Sequence, residues 1–62
     1  MRLILAGSLA IGMQLIEADG GLIEVVSVTK EGVNVVAECK SLNGSGLITF
    51  RGKLAKRVWI QE

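Results

Sequence analysis

Eight glycines and no proline divide these 62 residues into short runs dominated by Val, Ile and Leu. β-Branched side chains are stiff at the first torsion and favour a pleated, half-buried surface, so such runs read as strands. Glycine between them supplies the backbone freedom that tight connections need. The runs at residues 3–6, 13–18, 22–30, 33–40, 47–51 and 57–61 are the expected strands. Gly7-Ser8 closes the first. Asp19-Gly20-Gly21 and Lys30-Glu31-Gly32 are hairpin turns on either side of the clearest strand, 22–30. Residues 41–46 (Ser-Leu-Asn-Gly-Ser-Gly) read as a flexible loop, and 52–56 as one helical or 3₁₀ turn. The expectation is a single all-β domain over residues 1–62, a small barrel of five to six short antiparallel strands.

Parity assigns faces within each strand, because successive side chains point to opposite sides. Val33, Val35, Ala37 and Cys39 share one face, opposite Asn34 and Glu38, which places Cys39 in the core as an inert packed thiol. In the last strand Val58 and Ile60 point one way, and Arg57, Trp59 and Gln61 the other. The only Trp therefore falls on the polar side. Leu22-Ile23 and Val25-Val26 put apolar groups on both faces, the pattern of a wall partly covered by another surface.

A chain this short buries only about 60% of the surface its unfolded form exposes. One cysteine excludes an intrachain disulfide, and the absence of histidine with no cysteine cluster leaves no structural zinc set. Half the residues are hydrophobic, so the apolar surplus points to a homo-oligomer. The apolar stretch 3–13 behind Arg2 is short of the about 20 residues that span a bilayer, and no cleavage site follows it. The expectation is a cytoplasmic protein with no membrane partner.

Chemistry is sparse. No histidine is present to act as a base, so Ser8, Ser27, Ser41 and Ser45 lack an activator. Glu17 and Asp19 border a turn, and Gly44-Ser45-Gly46 lacks the Lys-Ser/Thr of a phosphate loop. No catalytic residue, cofactor motif or metal set is expected, so the chain reads as a binding protein and not an enzyme. Charge is uneven although the net is +1. Residues 1–39 balance to −3, and residues 40–62 to +4. Within the basic part stand Arg51, Lys53, Lys56, Arg57 and Trp59. Cations neutralise phosphates and an exposed indole stacks on bases, so these five are the expected RNA- or DNA-binding residues. The competing expectation is a protein partner or self-assembly, with Trp59 in the contact.

Two families are similar at particular residues. Leu9-Ala10-Ile11-Gly12-Met13, the turn at Asp19-Gly20-Gly21 into Ile23–Val28 and the closing Arg57-Val58-Trp59-Ile60 resemble SH3-like small barrels, a fold that hosts many functions. Leu3-Ile4-Leu5, the segment Gly7-Ser8-Leu9-Ala10-Ile11-Gly12 and Phe50-Arg51 with Leu54, Arg57 and Val58 resemble the carbon storage regulator family of small dimeric RNA-binding proteins. That resemblance implies that Arg51 contacts RNA. The Thr-Arg-Arg stretch that follows the family's first strand has no counterpart here, and the Val-Trp-Ile ending has strand and not helix character.

Overall fold

A computed structural model describes residues 1–42, 44 and 46–61. The protein is all-β. Six strands, β1 (Arg2–Leu5), β2 (Gln14–Ile16), β3 (Leu22–Glu31), β4 (Asn34–Ser41), β5 (Leu47–Lys53) and β6 (Arg57–Gln61), form one antiparallel sheet in the order β1-β6-β2-β3-β4-β5. β1 and β5 are its two edges, so the ladder is open and is not closed into a barrel by strand pairing. The sheet nonetheless curls. The turn between β5 and β6 meets the residues after β1, with Ala6 N donating to Lys56 O at 2.6 Å and Gly7 N to Leu54 O at 2.9 Å. Gly7 lets this approach happen, since a Cβ there would lie 3.2 Å from the Leu54 carbonyl oxygen and 3.3 Å from its side chain.

The glycines fall in the hairpin turns as expected, but Lys30 and Glu31, expected in the second turn, remain paired in β3. Gly21 N donates to Asp19 Oδ1 at 2.8 Å, an Asx turn that joins β2 to β3. The β3–β4 turn consists of Gly32 and Val33 between the paired residues Glu31 and Asn34. Gly32 sits first, with φ at 63°, as a II′ hairpin turn requires. Val33 is thereby drawn into the turn and is 65% exposed, so it does not share the core face with Val35, Ala37 and Cys39. The helical or 3₁₀ turn expected at 52–56 is reduced to one tight turn at its end. Gly52 and Lys53 stay in β5, Leu54 N continues the ladder to Val33 O at 2.8 Å, and Lys56 N closes a tight turn on Lys53 O at 3.0 Å. The 3₁₀ turn lies instead at Ala6–Ser8, where Ala6 is buried and can no longer extend β1. Of the loop expected to be flexible at 41–46, Asn43 and Ser45 lie outside the described residues.

The core comprises Ala6, Leu9, Leu15, Ile23, Val25, Val35, Ala37, Cys39, Val58 and Ile60, flanked by Ile4, Met13, Val28, Phe50 and Leu54. A β-bulge explains the double-sided apolar pattern of β3. Val25 pairs with Cys39 and Ser27 with Glu38, so Val26 is the extra residue. Odd positions, Ile23 and Val25, face inward before the bulge, and Val28 opposite buried Ala37 packs on the core after it. Val26 is left exposed.

Cys39 is fully buried, and its Sγ approaches the Ala37 carbonyl at 3.7 Å. Burial, followed by the Glu38 and Glu17 carboxylates, raises its pKa above the ordinary 9.0. The thiol is neutral and shielded at neutral pH. Reaction with a thiol reagent is expected only as fast as the domain opens, and denaturant should raise the rate to that of a free cysteine. Because the folded pKa is the higher one, this contribution to stability is complete below about pH 9 and falls as pH climbs through the folded value. Urea midpoints at pH 8 and pH 10 should therefore separate more for wild type than for Cys39→Ala, and equal separations would exclude the linkage.

Candidate binding groove

β6 threads between β1 and β2, and this placement decides what surrounds Trp59. Val58 and Ile60 turn into the core, as parity predicts, and Trp59 on the opposite face is 49% exposed. In the ladder Trp59 stands opposite Leu3, and Arg57 opposite Leu5. Both leucines are exposed. The face expected to be polar is thus an apolar strip with Arg57 at one end.

Beside it runs a groove of about 380 Å³ between β5 and the β2–β6 pair. Ile48, Thr49 and Phe50 of β5 form one wall. Ile16, Arg57 and Trp59 form the other, and the core residues Leu15, Ile23 and Val58 form the floor. Glu17 also reaches the groove, so its charged groups are one carboxylate and one guanidinium on a lining that is apolar but for these and Thr49. Lys56 Nζ lies 6.0 Å from the centre of the Phe50 ring, at the outer limit of a cation–π contact.

The five residues expected to form one nucleic-acid surface are divided by strand order, since β5 is an edge of the ladder and β6 lies near the other edge. Arg57 and Trp59 line the groove. Arg51 and Lys53 lie on the outer face of β5, opposite Val36 and Asn34 of β4. There they border a separate depression of about 330 Å³ that also contains Glu31, and the two concavities share no lining residue. Lys56 stands in the turn between them. Arg51, Lys53, Lys56 and Arg57 are all exposed.

The sequence reading missed Leu3, Leu5, Ile16, Ile48 and Phe50 as neighbours of Trp59. A signal existed for two of them: alternation puts Leu3 and Leu5 on one face of β1, and an exposed Trp in an antiparallel partner needs apolar company. For Ile48 and Phe50 the short β5–β6 connection was the only signal, and it could not show that strands so far apart in the ladder meet through the curl. Among the described residues no group of three or more His, Cys, Asp or Glu is placed to hold a metal ion. No helix among them is long and apolar enough to cross a membrane. No family model, curated protein or solved structure matches this chain.

Proposed function

We propose that this chain is a non-catalytic protein-interaction or assembly subunit whose contact surface is the groove beside Trp59. One observation carries the reading: a half-exposed Trp, flanked by exposed Leu3 and Leu5, borders an apolar groove that runs down to core residues. Large aromatic anchors in desolvatable pockets supply most of the energy of protein contacts. Exposed apolar surface of this kind is what a second protein surface removes from water. The finer reading of the fold is an SH3-like barrel left open along one seam. It draws support from the bond of Gly7 N to Leu54 O, which joins the chain after β1 to the residue that continues β5. The groove lies on the β5 side of that opening, with no residue of β1 in its lining.

A second reading, RNA or DNA binding, is favoured by the exposure of Arg51, Lys53, Lys56 and Arg57 around one turn and the end of one strand. The division of these cations between two concavities, one of them shared with Glu31, weighs against a continuous phosphate track.

Size-exclusion chromatography with light scattering separates the readings, run with and without a pool of short RNA and DNA at low and moderate salt. The assembly reading expects a mass that is a discrete multiple of 6.6 kDa, indifferent to nucleic acid. Trp59→Ala should weaken that association by about 2 kcal/mol or more, roughly 30-fold. A monomer, or a species that binds nucleic acid and releases it as salt rises, overturns it in favour of the second reading or of neither.

A further inference from the structure

We infer that the groove is filled by β5 of a second copy, which pairs antiparallel with β5 about Phe50 and makes a two-fold dimer with a continuous sheet. The inference rests on the assembly reading and names its partner.

The backbone of β5 leads to this partner. β5 is an edge strand with an uninterrupted seven-residue register against β4, without proline. Leu54 N donates to Val33 O just beyond one end of the pairing, and Ser41 N donates to Gly46 O just beyond the other. Hydrogen-bonded and non-bonded pairs alternate in an antiparallel ladder. Ile48, Phe50 and Gly52 therefore bond to β4. Leu47, Thr49, Arg51 and Lys53 turn their N–H and C=O groups to the open edge. That edge borders the groove, whose lining includes Ile48, Thr49 and Phe50 but no residue of β4. A strand added there enters the groove as it pairs.

The side chains choose a second copy. With the two-fold axis at Phe50, Thr49 pairs with Arg51 of the second copy, and Leu47 with its Lys53. All four edge residues then find hydrogen-bonded partners in both chains, and no like charges stand directly opposite. Moving the axis to Thr49 leaves Lys53 without a partner, and moving it to Arg51 sets arginine against arginine. On the inward face the pairing sets Ile48 against Gly52 of the second copy, large against absent. Phe50 already leans over its own Gly52, where a Cβ would be 3.1 Å from the ring. On the outward face Thr49 Oγ1 donates to Glu38 Oε2 at 3.1 Å, so Arg51 of the second copy joins a row that ends in a carboxylate. The pairing also covers Leu47, which is 75% exposed, and Ile48.

The test is light scattering together with filtered nuclear Overhauser spectra of a mixture of isotope-labelled and unlabelled chains. A dimer with a Phe50 Hα to Phe50 Hα contact between chains is expected. Two variants challenge it. Thr49→Pro removes an N–H that points away from β4, so the intrachain ladder survives while two intermolecular bonds are lost, and dissociation should rise about 10- to 100-fold. Arg51→Glu sets a carboxylate beside Glu38 of the second copy and should weaken the dimer about tenfold on a surface position that does not threaten folding. A dimer whose contacts run through Leu3, Leu5 and Trp59 alone, untouched by both variants, overturns the β5 pairing and leaves the assembly reading standing. A monomer overturns both.

Discussion

Ile60→Asp unfolds the domain at room temperature, as a loss of cooperative thermal melting and of amide dispersion will report. Ile60 is 3% exposed and occupies the strand that stands between two neighbours, opposite Arg2 of β1 and Leu15 of β2. The substitution removes the buried aliphatic group, which alone is worth about 2–5 kcal/mol. It also sets a carboxylate among Val58, Leu15 and the other core residues, where an unpaired charge adds several kcal/mol. Domains gain roughly 0.05–0.15 kcal/mol of stability per residue, so a chain of this length has no reserve for both losses. One position earlier the outcome reverses. Trp59→Asp projects its carboxylate from the exposed face and should keep the fold. A well-dispersed, cooperatively melting Ile60→Asp variant would mean that β6 does not face the core as described.

Deleting Val26 leaves the fold in place, whereas deleting Val36 destroys it. Val25, Ser27 and Val28 already stand opposite the consecutive residues Cys39, Glu38 and Ala37. Removing Val26 therefore joins the two halves of β3 into one regular strand without moving any side chain to the other face. The local curl added by the bulge is lost, and a destabilisation below about 2 kcal/mol is expected. β4 has no such slack. It is paired on both sides through unbroken stretches around Val36. A one-residue deletion there turns either Glu38 and Lys40 inward or Val35 outward, on two ladders at once. Urea unfolding of the two deletions settles the matter. Similar losses for both would show that the bulge is not the reason for the reversal of faces in β3.

Much of the fold was legible because its signals are local. Gly32 needs a positive φ, Asp19 bonds to the amide two residues on, and Val58 and Ile60 alternate with exposed neighbours. These follow from one or two residues and require no knowledge of what lies across the sheet. The ends of strands were less legible for the same reason. β5 runs on to Lys53 because a carbonyl at Val33 is waiting for Leu54 N, and that acceptor comes from the other end of a different hairpin. The faces of β3 were ambiguous until the partner strand revealed which valine was the extra one.

By itself, then, the sequence determined an all-β chain, the glycines of its hairpin turns, a buried Cys39 and an outward Trp59, since turn chemistry and two-residue periodicity are properties of neighbours along the chain. Only the tertiary structure decided that Arg51 and Lys53 part company with Arg57 and Trp59. It alone decided that Trp59 shares a groove with Ile48 and Phe50, and that β5 is left with an open edge. Those facts depend on how far the sheet curls and which strands end up at its borders. Curl is set by a bulge, a turn and a close approach at Gly7 acting together across the whole sheet.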